Sequence, residues 1–489
     1  MTESTGAGEG GVEPEEIPPV PLVANIPPVG TIGHHGGPRA RFTQHGTLSW
    51  ALWDWGSASF NAVVTTFVFS TYLASTYFVN PAVVAAAAGD NNDPALVAAL
   101  ADNAGVISLW LAVAGVAIAL FAPVLGQRSD GSGRRKLWLG VNTALVIVAM
   151  AAMFFIEAAP SFLVAGAILM AFGNIFFEFA SVNYNAMLVQ VSTPRTIGRV
   201  SGFGWGMGYL GGIVLLLLLL VLFIQDFGLG GGGLLGVADG LAGGGLNIRV
   251  AILASAVWFA VFAVPVLLRV PEIPRTARHN RVSFLASYVV LWNTLKGLAK
   301  NNRNVLQFLV ASAIFRDGLA GVFTFGAIIA AVSFGFSSSE VLYFAVAANV
   351  VAGIGTFIGG WLDDRLGARR IIIGSLIGLL IAAVVVLVIP DEKAAFWAPA
   401  LALTLFVGPV QSASRSFLAR ITPEGREGEV FGLYATTGRA VSFLAPALFG
   451  LFATVIFHDT LYGIIGIALV LLLGLLLMIP VRDQHEKLA

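Results

Sequence analysis

Polar positions are sparse along this chain, and they recur with a near-regular rhythm. Predominantly apolar stretches, each of about the 20 residues that a helix needs to cross a bilayer core, cover 49 to 79, 104 to 126, 137 to 157, 161 to 191, 199 to 225 and 248 to 269. Six more cover 304 to 334, 338 to 362, 371 to 390, 395 to 421, 429 to 457 and 460 to 481. The segments between them are too short to hold a soluble enzyme domain. The pattern predicts an all-α membrane protein with twelve transmembrane helices.

Composition agrees with that pattern, since 57% of the 489 residues are hydrophobic and 11% charged, against about 25% charged in a soluble protein. Residues 1 to 45, rich in Gly, Pro and Glu, read as a disordered cytoplasmic tail. They lack the basic start and short apolar core of a signal peptide, so the first span is expected to direct insertion. Net charge is zero and there is no cysteine; no nucleic-acid footprint is read, and disulfides and thiolate metal sites are excluded.

Lys and Arg are concentrated in alternate links, and such a bias sets orientation because cytoplasmic loops retain positive charge. One side carries Arg39, Arg41, Arg128, Arg134, Arg135, Lys136, Arg195, Arg199, Arg275, Arg278, Arg281, Lys296, Lys300, Arg303, Arg365, Arg369, Arg370 and Arg426, with Arg482 and Lys487 at the last tail. The other side has Lys393 as its exception. The expectation is a multi-pass protein of the cell membrane with both termini in the cytoplasm.

The chain also repeats itself. "GQRSDGSGRRK" (126 to 136) follows the second span and "GWLDDRLGARR" (360 to 370) the eighth, both fitting G-x3-D-x2-G-x-R-(R/K). "STPRTIGRVSGFG" (192 to 204) and "ITPEGREGEVFGLY" (421 to 434) form a second pair. Parallel six-helix repeats place a substrate pathway between the halves near the bilayer midplane. The expected organisation is an N-terminal bundle over 46 to 269, a cytoplasmic linker over 270 to 303, a C-terminal bundle over 304 to 482 and a tail over 483 to 489. In the linker, Phe284, Leu285, Tyr288, Trp292 and Leu295 share one helical face, with Ser283, Thr294 and Lys296 off it, which predicts an amphipathic helix lying on the membrane surface.

These loop motifs and the 6+6 repeat resemble the major facilitator superfamily. "WALWDWGSASF", "NYNAMLVQVSTPRTIGRVSGFGWGMGYLGG" and "GPVQSASRSFLARITPEGREGEVFGLYATTGRA" resemble more narrowly the unknown major facilitator family, related to the fungal vacuolar amino-acid effluxers of autophagy. The resemblance implies the major facilitator fold, alternating access, and a cytoplasmic gate at Asp130, Arg134, Arg135, Asp364, Arg365 and Arg369. Gly131 stands where the superfamily has a basic residue, which implies a weaker charge network at Asp130 than at Asp364 and Arg365.

Ionisable residues inside a span cost about 2.5 to 3.5 kcal/mol on insertion scales and mark functional sites or internal pairs. Asp54, Glu178, Arg316, Asp317, Arg415 and Arg439 are the six read here. At about 100° per residue, Asp54, Ser57, Asn61 and Thr65 form one stripe, Asn174, Glu178, Ser181 and Asn185 a second, and Thr404, Gln411 and Arg415 a third. Asp54, Asn61, Glu178, Asn185, Arg316, Asp317, Gln411, Arg415 and Arg439 are therefore the candidate substrate or proton residues, with Arg415 and Arg439 the expected partners of Asp54. Trp50, Trp53 and Trp55 read as an interfacial belt. Arg316 and Asp317 point about 100° apart, so one of them should pack on a neighbouring span.

The reading is a secondary transporter of a small polar solute, with amino acids as the candidate class, coupled to protons and using no cofactor or metal. Its partners would be a small-molecule substrate, protons and the lipid bilayer, with the protein a monomer and no nucleic acid bound. The alternative is a sensor or scaffold that uses the same fold without transport. An enzyme is not expected, because no histidine and carboxylate constellation converges inside the spans.

Overall fold

A computed structural model describes residues 44–90, 93–225, 232–237, 243–272, 284–336, 338–389 and 392–482. Residues 1–43, Arg275, Arg278, Arg281 and the 483–489 tail, all named above, lie outside them. Eleven described helices are long and apolar enough to cross a membrane, and an interrupted first span makes the twelfth. The fold class expected from the sequence is the one observed.

The first six spans are α1 (Gln44–Ala58), α2 (Pro94–Ser132), α3 (Arg135–Ala152), α4 (Leu163–Ala186), α5 (Ile197–Leu219) and α6 (Leu246–Arg269). The second six are α7 (Arg303–Val332), α8 (Ser338–Leu366), α9 (Ala368–Val388), α10 (Lys393–Ile421), α11 (Glu427–Val441) and α12 (Gly463–Met478). Within the first group α1 packs on α5 and α6, α2 on α4, and α3 on α4 and α6. Within the second, α7 packs on α11 and α12, and α10 on α8 and α9. The two broadest contacts of the molecule run between the groups, α5 on α8 and α2 on α11.

Those seams are close because glycines line them, as expected where backbones must approach in a bundle. A Cβ at Gly126 of α2 would lie 2.0 Å from the Gly428 carbonyl of α11, and one at Gly202 of α5 would lie 2.8 Å from the Gly360 Cα of α8. Toward the end away from the basic links each half packs on itself. The π-helical turn that follows α5 (Leu220–Ile224) lies on α6, and the distal part of the eleventh span (Leu451–Ile456) lies on α12.

Local chemistry sets the element ends. Asp93 caps α2 by accepting from the amides of Ala95 and Leu96, and Pro94 occupies the first turn, where its missing N–H costs nothing. Gly133 ends α2 with a φ of +63°, a left-handed cap that favours glycine. At 39 residues, or about 58 Å at 1.5 Å per residue, α2 overruns the hydrocarbon core, starting ten residues before its expected span.

The first span departs from the simple helical wheel. After Ala58 it becomes π-helical over Ser59–Phe67 before resuming as a short α-helix at Phe69–Leu73. Val68 N donates to Val63 O, and the hydroxyls of Thr65 and Thr66 both donate to the Asn61 carbonyl, at 2.7 and 2.8 Å. A π-turn has a longer repeat than an α-turn, so Thr65 leaves the stripe predicted at 100° per residue. Asn61 itself is exposed.

One further expectation is corrected. Trp50 and Trp53 are no interfacial belt: both are buried and stack on Tyr184 of α4, with ring centroids 4.4 Å away in each case. Their indole N–H groups donate to Tyr184 O and Thr143 Oγ1, so the bundle interior supplies the partner that the headgroup region was expected to supply. Trp55 stays half-buried beside Trp258. The linker helix spans Phe284–Asn301 and contacts α2 and α7. It turns Ser287, Thr294 and Leu298 inward while exposing Val289 and Trp292, so its polar Thr294 lies against protein.

Lys393, the exception in the charge bias, is paired with Glu340 at 2.7 Å. One prediction follows from the seams. In the cysteine-free chain, a single cysteine at buried Ser129 reports closure of α2 on α11. Gly432→Val drives a side chain into the Ala122 and Pro123 backbone; overpacking costs about 1–3 kcal/mol, so maleimide labelling of the Ser129→Cys reporter should rise by roughly fivefold or more. An unchanged rate would mean that this seam does not hold the halves together.

Candidate functional site

The site is built where spans of one half present carboxylates and spans of the other present guanidinium and amide donors. It has an outer layer at the basic end and an inner layer toward the middle of the spans.

In the outer layer, each half uses its repeated aspartate to cap a helix of the other half. Asp130 of α2 accepts from the amides of Gly428 and Glu429, at 3.0 and 2.9 Å, in the first turn of α11. Asp364 of α8 accepts from the amides of Gly198 and Arg199, at 2.8 and 3.2 Å, in the first turn of α5. The first amides of a helix have no intrahelical acceptor and its N-terminus carries partial positive charge, so a carboxylate there satisfies both. The two contacts are equivalents of one another across the repeat.

Their arginine partners differ. Arg135 donates to Asp130 from Nε and Nη2 at 2.9 and 2.5 Å, reaches Glu427 of the other half at 2.6 Å, and donates to Ala186 O at 3.3 Å. Both acids and the arginine are buried. At Asp364 the partners are Arg199, at 3.0 Å and mostly exposed, and Arg420, at 3.6 Å. Arg420 pairs chiefly with buried Asp363 at 2.5 Å, which also accepts from the Ser416 hydroxyl.

Thus the denser buried network is at Asp130, contrary to the expectation drawn from Gly131, because Arg135 and Glu427 supply the missing charges. Three arginines expected at this layer lie elsewhere. Arg134 is exposed. Arg365 stacks on Trp361 of its own helix, 3.7 Å from the ring centroid. Arg369 donates to the Val481 and Ile479 carbonyls beyond the end of α12, at 2.6 and 2.7 Å, where a cation is favoured by the helix dipole.

The inner layer holds two cross-half ion pairs. Arg415 of α10, only 2% exposed, enters the first half and donates from Nη1 to Asp54 Oδ2 and Asn185 Oδ1, at 3.3 and 3.2 Å. It also donates from Nη2 to Ser201 O at 2.5 Å and from Nε to Ser201 Oγ at 3.0 Å. Trp50, Tyr184 and Trp205 present their rings to the guanidinium at 4.9, 5.7 and 5.1 Å. Tyr184 donates its hydroxyl to Asp54 at 2.8 Å. Three spans of one half therefore hold one cation from the other.

Arg439 of α11 donates from Nη2 to Asn174 Oδ1 at 3.1 Å and to Glu178 Oε2 at 3.2 Å on α4. This pair is partly open, with 34% of the arginine side chain and 19% of the glutamate exposed. Arg316 lies near it on α7, donating to Tyr434 O at 3.0 Å with its guanidinium 3.8 Å from the Tyr434 ring. Gln411 of α10 accepts from Tyr209 of α5 at 3.2 Å, and Thr436 of α11 donates to Ala119 O of α2 at 3.1 Å. Asp317 is the outlier: it accepts from the Ala445 amide at 2.6 Å and faces the backbone of the eleventh span.

Of the nine inner candidates, the structure brings Asp54, Asn185 and Arg415 into one cluster and Glu178 and Arg439 into another. Sequence reasoning passed over Tyr184, Ser201, Asp363, Arg420 and Glu427. Two of these had a local signal, since Tyr184 adjoins Asn185 and Asp363 adjoins Asp364.

Comparison with known proteins places this geometry. A Bacillus subtilis (strain 168) protein named as an uncharacterized MFS-type transporter, YxiO, is 24% identical over 443 residues, covering 88% of this chain and 94% of that protein. Autophagy-related protein 22-1 of Neosartorya fischeri is 24% identical over 326 residues, or 60% of this chain; the chain spans about half of that fungal relative, 51%. Among solved structures, the E. coli fucose:proton symporter FucP matches with a TM-score of 0.64 at 12% identity, over 90% of this chain and 98% of that one. The proton:xylose symporter XylE matches at 0.65 and 14%, over 90% and 95%. Residues 189–488, more than half of the chain, match the family described as vacuole effluxer Atg22 like. The chain therefore belongs to that family and is a multi-pass membrane protein with the major facilitator fold.

Proposed function

We propose that the protein is a secondary transporter working by alternating access, that it moves a small polar solute such as an amino acid, and that protons drive it. The observation carrying this reading is the pair of intramembrane ion pairs that join the halves, Arg415 with Asp54 and Arg439 with Glu178. Ordinary packing between two bundles needs no such charges, and each is costly unless paired.

The halves are held together at the basic end by Asp130 and Asp364, and this end is read as cytoplasmic from the positive charge there. Asp130, Arg135 and Asp364 then act as the cytoplasmic gate, with Glu427, Arg199 and Arg420 as their counterparts. Rocking this end open separates α2 from α11 and α5 from α8 and strips both helix caps. It also withdraws Arg415 from the first half. Asp54, whose side chain is 15% exposed, is then left as a largely desolvated carboxylate with only Tyr184 to donate to it, and proton uptake offsets the cost of such a charge. This ties opening to proton uptake; the proton symporters of the same fold support that coupling.

Glu178 and Arg439 offer a carboxylate and a guanidinium, with Asn174 between them, in the more open cluster. That set matches a zwitterion, whose amine and carboxylate can exchange for the partners that the two side chains give each other. The family description, a vacuole effluxer, supports a role in efflux; here the cell membrane is the proposed location, with both termini cytoplasmic and the protein acting as a monomer.

The direct test uses purified protein in liposomes, with uptake of a panel of radiolabelled amino acids and dipeptides measured with and without an imposed pH gradient. Saturable uptake of at least one of them, stimulated by the gradient, is expected; no flux of any panel member under either condition would overturn the reading. Asp54→Asn should abolish gradient-driven accumulation while leaving exchange of the same labelled solute across the membrane, and full accumulation in this variant would remove Asp54 from the coupling. Glu178→Gln should raise KM by about 10- to 150-fold, the loss of one charge-assisted contact of about 1.5 to 3 kcal/mol, with kcat changed less. An unchanged KM would place the solute elsewhere.

A further inference from the structure

The eleventh span is broken three residues beyond Arg439, and what holds the break comes from α7. Pro446 has no N–H and its ring crowds the carbonyl four residues earlier, that of Ser442, which interrupts a helix at this point. The chain turns at Ser442 and Phe443 and restarts as the helix Leu444–Gly450. The residue preceding the restart, Phe443, provides no side-chain cap. In a span, amides freed in this way have no water to bind and must find an acceptor inside the protein.

Asp317 is that acceptor. It is 7% exposed and accepts from Ala445 N at 2.6 Å. Its neighbour Arg316 grips the same span on the other side of the break, donating to Tyr434 O at 3.0 Å and stacking on the Tyr434 ring. Gly438 leaves room for it, since a Cβ there would sit 3.1 Å from Arg316 Nη1. Between these two holds lies Arg439, whose own carbonyl accepts from Ser442 Oγ at 3.0 Å at the turn. Adjacent residues of α7 thus hold the span five residues before Arg439, at Tyr434, and six residues after it, at Ala445.

We propose that Arg316 and Asp317 form a clamp that sets the break in the eleventh span and so the place where Arg439 meets Glu178. Asp317 acts as a helix cap supplied from a different span, a positioning residue, and not as a carrier of transported protons. The importance of Arg439's position rests on the transport reading above; the clamp itself does not.

Two substrate-independent readouts test it in the full chain in nanodiscs. Hydrogen exchange of the 444–447 segment reports the cap, and a pulsed electron-paramagnetic-resonance distance between spin labels at Arg426→Cys and Val455→Cys reports the bend. An asparagine caps a helix about as well as an aspartate, whereas an alanine cannot. Asp317→Asn should therefore leave both readouts at their parent values. Asp317→Ala should speed exchange of the segment by about fivefold or more, on the scale of a lost cap, and shift or broaden the distance. The proposal is overturned if Asp317→Ala changes neither readout, or if Asp317→Asn changes both as alanine does. Failure of every amino acid to be transported would leave these results standing and would count against the transport reading alone.

Discussion

A guanidinium in the interior of a membrane protein must be surrounded by acceptors and π faces, because neither lipid nor water is there to receive its five N–H groups. Arg415 meets that demand almost entirely with the other half of the molecule. Asp54, Asn185 and both Ser201 oxygens accept from it, and Trp50, Tyr184 and Trp205 enclose it. The local design around it follows. Gly204 of α5 has no side chain because a Cβ would lie 2.6 Å from Trp50 and 3.1 Å from Arg415. Trp50 and Trp53 leave the lipid boundary to close the pocket with Tyr184. A single cation thereby makes the state of one half conditional on the other.

The outer layer solves the same accounting problem for backbone groups. The first amides of α5 and α11 lie at the seam between halves, where water is scarce, and each receives a carboxylate from across it. The duplicated Asp130 and Asp364 are thus two copies of one device, distinguished by their cations. Buried Arg135 ties Asp130 to Glu427, whereas Arg199 is largely exposed and Arg420 is mainly engaged with Asp363. An exposed pair contributes little and a buried one is costly to break, so the two seams are unequal: α2 against α11 is the more strongly locked.

Much of the fold is written in one-dimensional features. Twelve apolar runs, the alternation of basic links and the repeated G-x3-D motif are properties of neighbouring residues, and they reach through to the observed helices. What failed to read depends on geometry that a single wheel cannot carry. Thr65 left its stripe because nine residues of the first span are π-helical, and nothing in "SFNAVVTTF" announces a longer turn. Trp50 and Trp53 have the composition of an interfacial belt, and only Tyr184, more than a hundred residues away, draws them inward. For charged residues, type and depth were legible while partners were not. Arg365 adjoins Asp364 in sequence yet stacks on Trp361, and the partners of Asp130 are amides of Gly428 and Glu429 in the opposite half.

The inner charges divide by the kind of acceptor or donor they meet, and that division separates fixed from movable parts. Asp317 is committed to a backbone amide within its own half, and such a contact need not change when the halves rock as bodies. Asp54 and Glu178 are committed to side chains of the other half, so any relative motion of the halves alters both at once. Their surroundings then set different tasks. Asp54, 15% exposed, lies at the side of the aromatic box that closes around Arg415, and on the transport reading loss of that cation leaves a charge that a proton neutralises. Glu178 lies in a partly open cluster where a larger solute can take over the contacts of Arg439. On the proposed transport cycle, the same rocking motion would uncover a proton site and a solute site together, which is the physical requirement for coupling one to the other.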